Sequence, residues 1–220
     1  MTTYKLITFI LLTMLSINPL TTQGAEQDPL AYRLDMVYHN PGEARTKSAF
    51  LDPALLKSWN YNGQVPHLYV QCAITMETLD PEIAPAGSEV RAWIDGQAAK
   101  VDEHLKRCED AGIKMYPFTD FLVVPKTLAK KYRTQMGAGK KFIPSIKAKM
   151  TQEVIRKQVN EIFTRFTDIG GLTLRFGETY THDTPHHTGH SPLGSIKGKE
   201  FADNHVILMN LLREEICVKR

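Results

Sequence analysis

The run Arg175-Phe176-Gly177-Glu178-Thr179-Tyr180-Thr181-His182-Asp183 gathers acid, base and hydrogen-bonding groups within one short stretch. It continues Thr184-Pro185-His186-His187-Thr188-Gly189-His190. A carboxyl such as Glu178 serves as a general acid when its surroundings raise its pKa. Arg175, Tyr180 and His182 are able to bind hydroxyl groups or to tune that carboxylate. Asp183, His186 and His187 extend the same candidate contact set. The bland alternative gives Glu178 a helix-capping or loop-stabilising role. His186, His187 and His190, with Asp183 or Glu178, also supply donors of the kind a metal takes. No His-Glu-x-x-His and no cysteine pair accompanies them, so the reading takes no metal and no cofactor.

These residues need an element to deliver them, and the chain reads as strand then helix, four times over. The first strand covers Leu34 to His39 and stops at Asn40-Pro41-Gly42, a strong turn signal. Asp52-Pro53 reads as a helix N-cap with proline at the first helical position, and that helix runs to Trp59. The second strand is read over His67 to Ile74, where Leu68, Val70 and Cys72 alternate with Tyr69, Gln71 and Ala73. Ser88 caps the next helix, whose Val90, Ile94, Val101, Leu105 and Cys108 share a face. Gly112 ends it. The third strand, from Ile113 to Phe118, carries Pro117, which marks a bulge or an end. Leu122 to Val124 leads into a short helix over Pro125 to Tyr132.

Residues 133–150 read as an irregular, Gly- and Lys-rich insertion. Its Gly137-Ala138-Gly139-Lys140-Lys141 lacks the spacing of a phosphate loop. A helix opening at Thr151 carries Ile155, Val159, Ile162 and Phe166 on one face. The fourth strand, Leu172 to Phe176, is followed by the polar stretch and by a helix from about Lys199 to Val218 with Phe201, Leu208, Leu211, Leu212 and Ile216 along its face. Strands alternating with helices imply a parallel sheet. The expected class is α/β, a partial (β/α)8 barrel of four β/α units. Such sheets carry their sites at the carboxy-terminal edge. His39 and Asn40 end strand one, Thr75 and Glu77 follow strand two, and Thr119 and Asp120 follow strand three. Each alone is an ordinary loop residue; the shared edge makes His39, Asn40 and Asp120 candidates for substrate contact. Tyr38, Phe121 and Tyr180 are candidates for stacking on a sugar, with core packing as the rival role. Trp59 and Trp93 read as packing residues on helices.

Composition is that of a globular protein, 42% hydrophobic and 23% charged. A formal net charge of +3 gives no support to a nucleic-acid partner. The cluster Lys140, Lys141, Lys147 and Lys149 reads as a solvated loop. Lys5, the apolar run Leu6 to Ile17 and the small residues at Gly24-Ala25 have the build of a secretory signal. Residues 1–24 are therefore expected to be removed, leaving 25–220 secreted or periplasmic and without a membrane span. An uncleaved anchor is the rival. Cys72, Cys108 and Cys217 are too few for a disulfide framework, and buried free thiols are expected.

Asp35-Met-Val-Tyr-His-Asn-Pro-Gly42 and Gly171-Leu-Thr-Leu-Arg-Phe-Gly-Glu-Thr-Tyr-Thr-His-Asp183 resemble secreted bacterial glycoside-hydrolase-like barrel proteins. Leu211-Leu-Arg-Glu-Glu-Ile-Cys-Val-Lys219 resembles the helix before strand five of such proteins. The resemblance implies carbohydrate as the ligand and places Glu178 where the superfamily keeps its acid/base, at the end of strand four. The residue before that acid is usually Asn; here it is Gly177. A closed barrel has eight strands and typically about 250 residues. The four units read here imply an amino-terminal half, inactive alone, without the second carboxylate that hydrolysis needs about 5–10 Å from the first. Two further readings stand beside it: a non-catalytic sugar-binding protein, and a metal-dependent periplasmic hydrolase built on the His-rich stretch. Open edges at strands one and four invite self-association.

Overall fold

The computed structural model describes residues 30–35, 51–140, 142–175, 184–190 and 198–218. The chain divides into Met1–Ala31, of which Leu30 and Ala31 are described, and a compact unit over Tyr32–Arg220.

That unit is mixed α/β with parallel strands. β1 (Leu34–Asp35) pairs with β2 (Gly63–Gln64), and β2 pairs with β3 (Lys114–Met115), all parallel. The chain continues through Tyr116-Pro117 into β4 (Phe118–Thr119), which pairs in parallel with β6 (Thr173–Leu174). The third extended run therefore changes its ladder partner at the proline, which has no N–H to give. Helices connect the parallel strands. α1 (Pro53–Ser58) lies between β1 and β2, α2 (Glu89–Asp110) between β2 and β3, and α4 (Lys149–Arg165) between β4 and β6. α3 (Lys126–Tyr132) is short, and α5 (Gly198–Arg213) ends in a π-helical turn over Glu214–Val218.

Local chemistry sets most of these boundaries. Asp52 accepts from the Ala54 N–H at 3.0 Å, with Pro53 at the first helical position. Ser88 accepts from Arg91 N–H at 3.1 Å. At the other end of α2, Gly112 adopts φ 68°, its N–H reaches Glu109 O and the Ile113 N–H reaches Cys108 O. That pair of bonds is a Schellman stop, and only glycine takes it without strain. Ala98, Val101 and Cys108 of α2 pack into the same core as Val154, Ile155, Val159 and Ile162 of α4. Leu208, Leu211 and Leu212 of α5 join them.

Several expectations need correction. The second strand is Gly63–Gln64, not His67 to Ile74. Pro66 cannot donate to a ladder, so pairing stops before it. Val70–Ala73 form a 3-10 turn with all four residues buried, which an alternating two-faced strand would not show. Val123–Pro125 is a strand, β5, before α3 begins at Lys126. The polar stretch after strand four contains β7 (His187–Gly189), antiparallel to β5. α4 opens at Lys149, and Thr151 is a buried residue whose hydroxyl donates to Met136 O. Trp59 is 50% exposed and Cys217 is exposed, neither packed as expected. Phe201 is exposed, while Phe121 lies in the core and is not a stacking residue. No helix among the described residues is long and apolar enough to cross a membrane.

Candidate functional site

Asp120 follows β4 directly and Arg175 follows β6, so the parallel pairing of these strands carries both side chains to the same carboxy-terminal edge. The Arg175 backbone N–H bonds Thr119 O at 3.2 Å, which fixes the register. Arg175 Nε donates to Asp120 Oδ1 at 2.7 Å and Nη2 to Oδ2 at 2.5 Å. This two-pronged contact is the geometry in which guanidinium and carboxylate bind most strongly. The Asp120 side chain is 3% exposed and that of Arg175 13%.

Two residues beyond β2 complete the cluster. Arg175 Nη2 also donates to Tyr69 Oη at 3.2 Å, and its guanidinium lies 5.5 Å from the Tyr69 ring centre. His67 Nε2 is 2.9 Å from the same hydroxyl. A guanidinium only donates, so Tyr69 Oη accepts there, and its own proton is available to His67 Nε2. His67 is exposed, and its ring meets Tyr69 and Phe118 edge-on. The chain Asp120–Arg175–Tyr69–His67 thus runs from the interior to the surface, built from residues that follow β4, β6 and β2.

Burial pushes the Asp120 carboxyl up from its ordinary value, and Arg175 pulls it back. Burial works against the Arg175 charge too, but Asp120 and then Tyr69 outweigh it and hold the guanidinium protonated more firmly than usual. The guanidinium keeps its charge, because arginine does not give up its proton. Beside it, burial and then the Asp120 charge push the Cys72 thiol far up, so that sulfur stays protonated and inert.

The turn after β4 holds Asp120 in place. Leu122 adopts φ 67°, an uncommon conformation for a branched residue. Gln158 of α4, fully buried, holds it from both sides: its Oε1 accepts from Leu122 N–H at 3.4 Å and its Nε2 donates to Val123 O at 2.9 Å.

Of the residues expected at the site, Asp120 and Arg175 come together. His186 and His187 lie elsewhere, on and beside β7. His187 is 0% exposed, and so does not face a substrate; the β5–β7 pairing turns it into the interior against Trp93. His186 is half-buried, with Nε2 3.6 Å from Glu89 Oε1 and its ring edge-on to Trp93. His39, Asn40, Glu178, Tyr180, His182 and Asp183 lie outside the described residues. Among the described residues no three His, Cys, Asp or Glu side chains are grouped to hold a metal ion. Glu77 is exposed and pairs with Arg91. His67 and Tyr69 were missed as site residues because they were read as part of a strand; Pro66 immediately before them is the signal that they follow one.

No protein-family model matches the chain, and no curated protein does. Among solved structures, a GH138 enzyme targeting pectin rhamnogalacturonan II is similar over 67% of this chain and 19% of that one, at 15% identity and a TM-score of 0.43. A cold-adapted β-galactosidase from Rahnella sp. R3 is similar over 59% of this chain and 19% of its own, at 15% identity and a TM-score of 0.33. The chain matches about a fifth of the length of either of these glycoside hydrolases.

Proposed function

We propose that this chain is the strand-one-to-four part of a glycoside-hydrolase-like (β/α) barrel, exported from the cytoplasm, that holds carbohydrate at the carboxy-terminal edge of its sheet. The observation that carries the reading is the Asp120–Arg175–Tyr69–His67 chain, built from residues that follow β2, β4 and β6. A sugar presents vicinal hydroxyls that both donate and accept. An exposed imidazole backed by a tyrosine hydroxyl meets that requirement, and the ionic pair behind it keeps the tyrosine oriented. The parallel order β1-β2-β3, continued by β4-β6, with helices between, supports a barrel arrangement.

Both Asp120 oxygens are engaged by Arg175, so Asp120 is a positioning group and not a nucleophile. Glu178, three residues past Arg175, is the proposed general acid. The apolar run Leu6 to Ile17 after Lys5 supports export. A sugar-binding protein without turnover uses the same four residues, and aryl-glycoside hydrolysis separates the two readings.

The test is binding of purified protein to a printed array of mono- and oligosaccharides, with His67→Ala and Tyr69→Phe beside the parent. Loss of one hydrogen bond to a bound ligand costs about 1–1.5 kcal/mol, so affinity should fall about tenfold in each variant. Folded parent protein that retains no saccharide defeats the reading.

A further inference from the structure

β7 is held against β5 and α3. It pairs with β5 over three residues, Val123↔Gly189, Val124↔Thr188 and Pro125↔His187. Beside it, Lys126 N–H donates to His186 O at 2.9 Å and Lys126 Nζ to Pro185 O at 2.5 Å. The strands approach so closely at Gly189 that an added Cβ would lie 2.1 Å from Leu122 O.

At one end of this ladder, opposite Pro125, is His187, 0% exposed, its ring centre 5.0 Å from that of Trp93. Neither Nδ1 nor Nε2 has a hydrogen-bond partner among the described residues. A buried polar group without a partner is costly, and a buried charge without one is costlier. Among the described residues, the charged and titratable groups around the ring are His186 just before β7, Lys126 at the start of α3 and Glu89 at the start of α2. Glu89 is turned to solvent and its carboxylate approaches His186 instead. β5 contributes Val123, Val124 and Pro125, none of which bears charge. The seat therefore suits a neutral imidazole, and the described residues offer an imidazolium no acceptor.

We infer that β7 is an acid-released strand: proton uptake by His187 expels its ring from the seat beside Trp93 and unpairs residues 187–189 from β5. Burial, with His186 and Lys126 adding to it, pushes the seated ring down from its ordinary 6.5 to about 3. The sign follows from linkage. A released ring titrates near 6.5, so seating is fully favourable above that pH and weakens as pH falls from 6.5 towards 3. Between pH 6.5 and pH 4.5 the ratio of released to seated strand rises about fifty-fold. β7 is the only described element between Arg175 and Gly198, and acidity sets whether its residues 187–189 stay on β5.

Amide hydrogen exchange of the full chain, corrected for the intrinsic pH dependence of exchange, tests this. In the parent protein the β7 amides should open about fifty-fold more often at pH 4.5 than at pH 6.5. In His187→Phe, and in His187→Leu should the phenyl ring not fit, that dependence should vanish, while His186→Gln should keep it. Trp93 emission, read in a Trp59→Phe background with His187 intact, should change over the same interval. Equal protection of β7 at both pH values, or a pH dependence that survives removal of His187, overturns the inference.

Discussion

Replacing Arg175 by methionine keeps most of the aliphatic stem and removes the cation that faces Asp120. The Asp120 side chain is 3% exposed, so its carboxylate would be left almost without water. Removing one partner of a buried ion pair costs about 3–5 kcal/mol. Asp120 has an escape, since burial already pushes its carboxyl up and it can take a proton once Arg175 is gone. The loss should therefore sit at the low end, about 3 kcal/mol at pH 7, or roughly 6–12 °C in Tm for a domain of this size. The pH dependence has a definite sign. A carboxyl whose folded pKa is raised destabilises the fold above its unfolded value, and the deficit shrinks as pH falls through the folded value. The Arg175→Met deficit should thus be largest near neutrality and smaller in acid. Asp120→Leu in the Arg175→Met background removes the stranded carboxylate and should restore stability to within about 1 kcal/mol of the parent. Urea unfolding followed by circular dichroism, run as a double-mutant cycle at pH 7 and pH 5, measures all four proteins. A single variant that loses less than about 1 kcal/mol, or a double variant that loses the sum of both singles, would refute the claim that these two charges depend on each other.

Three other outcomes are expected. Gly189→Ala should loosen β7 at any pH, because its Cβ would meet Leu122 O and the Val123 Cα; faster exchange of the β7 amides at pH 7 would show it. Glu161 accepts from Met76 N–H at 2.8 Å, Thr78 N–H at 3.0 Å and the Thr78 hydroxyl at 2.5 Å, so Glu161→Ala strands two backbone donors and should cost about 2–4 kcal/mol in urea unfolding. Of the three thiols, Cys217 should react with a disulfide reagent in the native protein, and Cys72 and Cys108 only after unfolding; burial pushes the Cys108 thiol up to about 11 and Cys72 further.

What could be read along the chain was local. The caps at Asp52 and Ser88, the stop at Gly112 and the apolar faces of α2 and α4 each rest on contacts within a few residues, and such contacts are written in neighbouring letters. The parallel order of the strands was legible for a related reason, since helices between strands leave no other economical connection. The second strand was misplaced because Leu68, Val70 and Cys72 imitate an alternating face, and a 3-10 turn buried on every side produces the same letters. β7 was invisible because three residues of polar sequence become a strand only when β5 lies beside them.

The sequence by itself determined that this chain alternates parallel strands with amphipathic helices and that Asp120 and Arg175 fall at strand ends, because periodicity and end signals act over one or two turns of chain. Only the tertiary structure decided that these two residues, 55 positions apart, form one ion pair with Tyr69 and His67 beside it, and that His187 lies inside. Pairing between distant segments depends on register and burial, and neither is encoded within the span of a single element.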